Sequence, residues 1–214
     1  TSVSRGLGDV YKRQLLGWNP DSEKEIFDQN ELINSFQFKQ VQKKSAVFDE
    51  KKLLWISQQH LSEMSVRDLM NEIYTLNPEW GDGLEWDYLK EVVKLIKDRS
   101  KTITEIISMS EIFFKDKLEY DIDLLNKTFN DKSIAIIKDF QSALSSIEDW
   151  SRVEIEKIFE DIMEQHEVAI GQVMKPVRVA ISGIPFGPGI FDLILLLGKE
   201  ICQIRLRHAL SVIQ

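Results

Sequence analysis

The sequence of 214 residues is 43% hydrophobic and 29% charged, with a formal net charge of −8 at pH 7, and this composition predicts a soluble globular protein. Its longest apolar run, residues 190–198, is too short to span a bilayer and is interrupted by Asp192, which excludes a membrane protein. The single cysteine, Cys202, excludes an internal disulfide, and the three histidines form no metal-binding motif. We therefore expect a cytoplasmic protein with no metal site.

The first fourteen residues, TSVSRGLGDVYKRQ, differ from the rest of the chain. They are basic, contain two glycines and lack a helical period. They have neither the apolar core of a signal peptide nor the amphipathicity of a transit peptide. We interpret residues 1–14 as an artefactual leader from sequencing-adapter read-through, so that the natural protein would continue upstream.

From Leu15 onward the sequence predicts a succession of helices. Most begin at a capping residue that is followed three positions later by an acid, and each carries apolar side chains at helical spacing. Other amphipathic runs cover residues 89–96, 132–147, 173–182 and 191–210, whereas residues 120–123 are interpreted as a loop. The predicted caps are Asp28, Asp49, Ser65, Thr102 and Ser151.

Alternation of polar and apolar residues at period two is short wherever it occurs, so the predicted fold class is all-α, a multi-helix bundle or cage. Breakers near Pro78 and Tyr120 divide the chain after the leader into three predicted parts. These are residues 15–65, a helical subdomain at 66–120, and a second helical subdomain at 121–214.

The segment 183–189, GIPFGPG, holds three glycines and two prolines within seven residues. This composition ends both flanking helices and predicts a rigid loop that presents its backbone. Phe186 and Phe191 offer apolar faces beside it. The same residues are also typical of a helical hairpin whose glycines turn the chain and whose phenylalanines fill the core, and composition alone favours that second interpretation.

Cations are concentrated around this loop, although the chain as a whole is acidic. From Gly171 to the end, five cations face only two acids, Asp192 and Glu200. Apolar rings beside arginine suit exposed single-stranded bases better than duplex phosphate, because stacking supplies the contact and a few cations attract the phosphates. The five cations are Lys175, Arg178, Lys199, Arg205 and Arg207.

No motif for catalysis is present. The sequence lacks a glycine-rich phosphate loop, a nucleophile elbow, a zinc-binding helix and a kinase signature. Neighbouring acids such as Glu160 and Asp161 are typical of solvated helix faces. We therefore predict no catalytic residue in this chain.

Several motifs, in order and at matching spacing, resemble bacterial glutamyl-tRNA synthetases over residues 15–214. Any one of these motifs alone would be weak evidence for the resemblance, but the whole set in this order is specific for the family. The motifs are LLGWNP at 15–20, KSAVFD at 44–49 followed by Trp55, RSKTITE at 99–105, GQVMKPVRVAISG at 171–183, GPGIF at 187–191 and LLGKE at 196–200.

This resemblance implies the end of a stem-contact region followed by a helical anticodon-binding cage. Members of the family carry an N-terminal catalytic domain, whose signature loops are missing here, and that domain would use ATP and Mg²⁺ to attach glutamate to tRNA(Glu). The chain itself is then expected to bind tRNA(Glu) as a monomer, to need no cofactor, to bind no DNA and to catalyse nothing.

The family's anticodon contacts, carried over by motif, fall on six residues. The arginine that helps to read the third anticodon base falls on Arg99, and a guanidinium fork suits that task because it donates two hydrogen bonds in fixed geometry. Gly187 stands where some members have a hydroxyl residue, and Ser57 and His60 replace the usual asparagine and tyrosine. The implied contacts are Arg99, Arg178, Pro188, Gly189, Ile190 and Phe191.

Two alternatives stay open. A helical protein-interaction module without RNA binding is favoured by the net negative charge, which hinders binding to a polyanion, and such a module would expose a contiguous apolar patch. A member of the same family with relaxed anticodon choice would also charge glutamine tRNA. Arg99 favours strict glutamate specificity.

Overall fold

A computed structural model of the chain describes Trp18 and residues 25–41 and 49–213. The leader at 1–14 and most of the KSAVFD motif lie outside these residues. Within them the secondary structure is helical, apart from one isolated antiparallel bridge between Trp18 and Val41, so the all-α prediction is confirmed. The α-helices are α1 Gln29–Ser35, α2 Glu50–Glu63, α3 Val66–Leu76, α4 Trp86–Ile96, α5 Ile103–Ser110, α6 Ile122–Thr128, α7 Asp131–Ser146, α8 Arg152–His166, α9 Ile170–Ser182 and α10 Ile190–Ile213.

The capping residues identified in the sequence begin helices as predicted. Asp28 and Glu31 form a reciprocal capping box at α1, in which each carboxylate accepts a hydrogen bond from the other residue's amide, at 2.8 and 2.9 Å. The Thr102 hydroxyl accepts from the amide of Glu105 at 3.1 Å, before α5. Each cap satisfies an amide that has no acceptor within its helix. The other three predicted caps, Asp49, Ser65 and Ser151, accept in the same way at α2, α3 and α8.

The prediction of a loop at residues 120–123 was wrong at its C-terminal end. Asp121 accepts hydrogen bonds from the amides of Asp123 and Leu124 and begins α6. This helix has seven residues and buries only Leu125 among them. A helix with one buried position has no apolar stripe, and periodicity therefore could not reveal it.

The chain divides into two compact units. The first runs to Trp80 and resumes at Lys97–Ile107, and the second comprises Gly81–Ile96 and the chain from Ser108 onward. The three parts that the sequence predicts, with boundaries after residues 65 and 120, stay a prediction.

In the first unit, the short 3₁₀ helix Lys97–Arg99 is attached to α2. The ammonium group of Lys97 donates to the carbonyls of Ser62 and Met64 at 2.9 and 3.0 Å, and these carbonyls lie at the C-terminal end of α2. The side-chain amide of Gln58 donates to the carbonyl of Asp98 at 3.1 Å. These bonds hold the backbone that carries Arg99.

In the second unit, helices α7 to α10 pack around a core that contains two aromatic rings in contact. Phe140 of α7 and Phe159 of α8 are fully buried, and their ring centroids lie 4.9 Å apart in an edge-to-face arrangement. Apolar residues from α9 and α10, among them Val177 and Leu193, are also fully buried. This core supports the connection between α9 and α10, which is the predicted loop.

Helix α10 is broken at Gly198, although the sequence predicted one continuous helix over 191–210. Gly198 has φ 79° and ψ 164°, a conformation that is essentially restricted to glycine. A break leaves the preceding carbonyls without their helical partners. The carbonyl of Leu195 accepts instead from the indole of Trp150 at 3.3 Å.

Gly198→Ala is expected to lower the free energy of unfolding by about 1–3 kcal/mol, because alanine is strained at this φ and ψ. A Cβ at position 198 would meet no atom within 4 Å, so the cost is conformational and not steric. Gly171→Ala is the matched control, since Gly171 lies in α9 and a Cβ there also has open space. Urea unfolding of both variants checks this, and equal effects would contradict it.

None of the helices in the described part of the chain is long and apolar enough to cross a membrane.

Candidate nucleic-acid interface

The loop 183–189 starts where Gly183 ends α9. Gly183 has φ 71° and ψ 2°, the left-handed conformation that glycine adopts most readily, and its amide donates to the carbonyl of Val179 at 2.9 Å. The hydroxyl of Ser182 donates to the carbonyl of Arg178 at 2.8 Å. The loop therefore leaves the helix in a fixed direction.

Arg178 holds the far side of the same loop. Its Nη1 donates to the carbonyl of Pro188 at 2.7 Å, and the side chain is partly buried. Gly187 has φ 150°, which L residues rarely adopt, and a Cβ there would lie 3.7 Å from Nη1 of Arg178. Arg178 and the loop therefore lie in contact. The hydrogen bond from the guanidinium links the last part of α9 to the C-terminal part of the loop and stabilises the reversal of the chain between them.

Gly189 precedes α10 and allows a carboxylate to lie against it. A Cβ at this position would come within 2.7 Å of Oδ2 of Asp192, closer than real contacts permit. Oδ1 of Asp192 accepts from Nη1 of Arg152 at 2.7 Å, and Nε of Arg152 donates to Glu156 at 2.8 Å. This cluster fixes the first turn of α10 next to the loop.

The aromatic rings near the loop differ in their exposure. The ring of Phe191 packs edge-to-face on Phe159, with centroids 5.2 Å apart, and the guanidinium of Arg152 lies 5.4 Å from its centroid. Phe186, in contrast, is 82% exposed. Phe186 therefore has the ring that is open to stack on a base, whereas Phe191 is largely engaged by its neighbours.

Pro188 and Ile190 are buried. A contact from either residue to RNA would use the main chain, whose position Arg178 and Gly189 help to set. The predicted contacts in this region therefore offer mainly backbone, and the exposed ring beside them is that of Phe186, which was not among the predicted contacts.

Arg205 does not lie on the surface beside the loop, as the sequence had suggested. It is fully buried, its Nη1 donates to the carbonyl of Ile181 at 2.7 Å, and its Nη2 contacts the carbonyls of Ile112 and Lys115. Burial lowers the pKa of its guanidinium. Arg205 thus binds the carbonyl of Ile181 in the last turn of α9 and two carbonyls in the segment after α5, and it is inaccessible to RNA.

Tyr120 supports the same helix end. Its hydroxyl donates to the carbonyl of Ala180 at 2.6 Å, and burial raises its pKa to about 12. The phenol therefore stays protonated at neutral pH and acts as a donor. Lys199 has a comparable role, because its ammonium donates to the carbonyl of Ile147 at 2.7 Å, just after α7. Of the five cations that flank the loop in sequence, Lys175 and Arg207 are the exposed ones.

Arg99 belongs to the first unit, whereas the other five predicted contacts belong to the second. Its side chain is exposed and makes no hydrogen bond or ion pair with any residue that the structure describes. The 3₁₀ helix that carries Arg99 is attached to α2 by hydrogen bonds. The guanidinium is therefore exposed to solvent, whereas the backbone that carries it is fixed.

A protein-family model described as an anticodon binding domain matches residues 57–210 of this chain. The chain belongs to this family. The match includes α9, the loop 183–189 and most of α10, and it begins within α2.

Known glutamate–tRNA ligases are similar to the chain over nearly all of its length. The glutamate–tRNA ligase of Desulforudis audaxviator is 35% identical over 207 residues, which cover 92% of this chain and 41% of the ligase. That of Flavobacterium johnsoniae is 32% identical over 199 residues, covering 93% and 40%. The resemblance to glutamyl-tRNA synthetases is confirmed, and the chain spans about 40% of the length of these relatives.

A solved structure supports the same relationship. The crystal structure of a glutamate–tRNA ligase from Elizabethkingia meningosepticum, in complex with its amino acid, matches with a TM-score of 0.83 and 25% sequence identity. The match covers 97% of this chain and 41% of that one. The helical arrangement is therefore that of the ligase's corresponding part.

Sequence reasoning missed one residue beside the loop 183–189, Arg152. The sequence offers one indication of its role, because Arg152 and Glu156 are four residues apart just after the cap Ser151. Such a pair is typical of an ordinary helix surface, so it does not indicate a contact with the loop. Only the fold shows that the same guanidinium also reaches Asp192 and Phe191.

The single cysteine of this member of the anticodon-binding family is Cys202. It is buried, and burial raises its pKa to about 12, so the thiol is protonated at neutral pH. Among the described residues, no cluster of histidine, cysteine and acidic side chains could hold a metal ion.

Proposed function

We propose that this chain is the anticodon-recognising, tRNA-binding part of a cytoplasmic glutamate–tRNA ligase. The observation that carries this proposal is the family match over residues 57–210, which includes the braced loop 183–189. The complete ligase would use ATP and Mg²⁺ in its catalytic domain to attach glutamate to tRNA(Glu). This chain would act as a monomer and hold neither cofactor, and its ligand would be RNA and not DNA.

The geometry suggests how the loop meets single-stranded bases. Arg178 keeps the loop backbone rigid, so the cost in conformational entropy of ordering it has been met before RNA binds. The exposed ring of Phe186 offers a stacking surface, and base–aromatic stacking contributes about 1–3 kcal/mol per base. Arg99 presents a free fork of donors for a base edge.

Arg178→Ala is expected to weaken binding of the full chain to an anticodon stem-loop of tRNA(Glu) by about 10- to 100-fold. The variant loses a charge-assisted hydrogen bond to Pro188, and such bonds contribute about 1.5–3 kcal/mol. Arg67→Ala is the matched control, because Arg67 is an exposed arginine on α3 outside the predicted contacts. Fluorescence titrations at two salt concentrations would measure all affinities.

Arg99→Ala completes this arginine series. We expect it to reduce discrimination between cytosine and uracil at the third anticodon position, with the fold unchanged because the side chain is exposed. Equal affinities for all four proteins would contradict the proposal, as would the absence of salt-sensitive binding by the unmodified chain. In the complete ligase, glutamate attached to glutamine tRNA would contradict strict specificity.

One observation favours the second candidate, a protein-interaction surface. Ile33, Phe36 and Phe38 of the first unit are 66%, 44% and 87% exposed, and the rings of Phe36 and Phe38 lie 5.2 Å apart. Contiguous exposed apolar surface is typical of protein contacts. If the chain does not bind RNA while its fold is intact, this candidate replaces the first.

A further inference from the structure

Two carbonyls in the last turn of α9 accept hydrogen bonds from side chains outside that helix. In a continuous helix the carbonyl of Ala180 would accept from the amide of Ile184, but this amide donates to the hydroxyl of Ser182 at 3.4 Å. The carbonyl of Ile181 would accept from the amide of residue 185, which is Pro185 and has no amide hydrogen. Both carbonyls therefore need donors from elsewhere in the fold, just before the loop begins.

The donors come from Arg205 and Tyr120. Nη1 of Arg205 donates to the carbonyl of Ile181 at 2.7 Å, and the hydroxyl of Tyr120 donates to the carbonyl of Ala180 at 2.6 Å. The same hydroxyl oxygen lies 3.3 Å from the carbonyl oxygen of Arg205, in the part of α10 that follows Gly198. The phenol therefore lies between the backbones of the two helices that the loop joins.

The two residues before Tyr120 lie against the start of the loop. A Cβ on Gly183 would be 3.7 Å from Cδ1 of Leu118 and 3.8 Å from the carbonyl oxygen of Glu119. Leu118 is buried, and its carbonyl oxygen lies 3.0 Å from Nε2 of His208 in α10. This short stretch of chain therefore contacts the end of α9, the first residue of the loop and α10 at once.

We propose that Tyr120 is a positioning residue for the loop 183–189, and that its hydroxyl raises the affinity for RNA by acting through the loop. Arg178 holds the C-terminal part of the loop through the carbonyl of Pro188, whereas Tyr120 holds the turn from which the loop starts. A loop that is fixed at both ends is in its binding conformation in a larger fraction of molecules, and the apparent affinity rises with that fraction. The inference rests on the proposed function for its ligand, the anticodon bases of tRNA(Glu).

Tyr120→Phe removes the hydroxyl and keeps the ring, and Tyr88→Phe is the matched control. The hydroxyl of Tyr88 donates to the carbonyl of Phe113 at 3.0 Å, and both tyrosines are half-buried in the second unit. Phe113 belongs to the 3₁₀ turn after α5, and not to α9 or α10. The two variants therefore lose the same kind of hydrogen bond, but only Tyr120→Phe frees a carbonyl next to the loop.

The first test does not depend on RNA. The amide of Gly183 donates to the carbonyl of Val179 at the end of α9, and its hydrogen exchange is measured by NMR on the isotope-labelled full chain. We expect exchange about 3- to 10-fold faster in Tyr120→Phe, because the last turn of α9 opens more often. Tyr88→Phe should leave it unchanged. Unchanged exchange in Tyr120→Phe, or equal acceleration in both variants, would overturn the inference.

The second test measures the affinity of the full chain for the anticodon stem-loop, at a temperature at which circular dichroism shows both variants to be folded. Tyr120→Phe is expected to weaken binding by about 3- to 10-fold and Tyr88→Phe to leave it unchanged. A purely structural role would lower the stability of both variants without changing either affinity. Unchanged affinity in Tyr120→Phe would therefore contradict the positioning role, even if the exchange of Gly183 is faster.

The two tests separate this inference from the proposed function. If Arg178→Ala loses affinity while Tyr120→Phe binds the stem-loop as the unmodified chain does, the inference fails and the proposed function holds. If the unmodified chain does not bind the stem-loop, the proposed function fails, and the exchange of Gly183 alone then decides whether Tyr120 orders the loop.

Discussion

Arg205→Met should lower the free energy of unfolding by about 3–5 kcal/mol, because three backbone carbonyls lose the donor that satisfies them. Methionine fills a similar volume, so the loss would not come mainly from a cavity. It would come from the carbonyls of Ile181, Ile112 and Lys115, which lose their donor. Each buried carbonyl without a partner costs about 1–3 kcal/mol.

Arg205→Met also removes the cost of burying the charge of the guanidinium, and this gain in stability opposes the loss. Replacing a complete buried ion pair by apolar residues is often neutral, because both charged partners disappear together. Here the partners are neutral backbone carbonyls, which are still present whatever residue occupies position 205. We therefore expect the unsatisfied carbonyls to outweigh this gain, so that the free energy of unfolding falls in Arg205→Met.

Urea unfolding followed by circular dichroism would measure the effect. Arg207→Met is the control, because Arg207 is exposed two residues further along the same helix, and surface changes of this kind are usually within about 0.5 kcal/mol. Arg205→Lys should fall between the two, since an ammonium group can donate but cannot reproduce the planar fork. A loss below about 1 kcal/mol in Arg205→Met would show that the buried guanidinium is not a structural support.

Phe159→Ala should also lower the free energy of unfolding by about 3–5 kcal/mol, the range for truncating a buried phenylalanine. Its ring is fully buried between those of Phe140 and Phe191, with centroid distances of 4.9 and 5.2 Å. Aromatic pairs of this geometry add about 0.5–1.5 kcal/mol to the burial of the ring. Val153→Ala on the same helix is the control, because Val153 is 72% exposed.

This variant also tests whether the core positions the start of α10. Without the ring of Phe159, Phe191 loses its edge-to-face partner, and the first turn of α10 next to the loop is less constrained. We expect weaker binding to the anticodon stem-loop under conditions in which Phe159→Ala is still folded. Unchanged affinity in a folded variant would show that the loop is held by Arg178 and the Arg152 cluster without help from the core.

The helical fold was predictable because its signals are local. A cap such as Asp28 acts on a residue three positions away, so both members of the capping box lie within one short stretch of sequence. The stripe that includes Phe140 and Leu144 repeats at the period of a helix, and both side chains are buried in the core. These features need no knowledge of which helices pack together.

The roles of the cations were not predictable, because they depend on tertiary contacts. Arg205 lies 24 residues from Ile181 and about ninety residues from the carbonyls that its Nη2 contacts. In sequence it looks like any arginine on a helix. The sequence pattern likewise placed Gly198 in the interior of a helix, although its backbone conformation in the fold is one that ends a helix.

The position of the loop was predictable from composition, but the burial of its residues was not. Glycine and proline at 183–189 mark a rigid reversal whatever the surroundings. Whether Phe186 or Phe191 stays exposed depends on the neighbours that each ring meets, and Phe191 meets Phe159 and Arg152.

The buried guanidinium of Arg205 also changes the electric field at the loop. A helix carries about half a negative charge at its C-terminus and about half a positive charge at its N-terminus. Helix α9 points its negative pole at the loop, and the positively charged guanidinium of Arg205 donates to the carbonyl of Ile181 in the last turn of that helix. Helix α10 begins at the other end of the loop with its positive pole, where Asp192 is paired with Arg152. An arginine that never touches RNA thus makes the field at the loop more favourable to a polyanion, in a protein whose net charge is unfavourable.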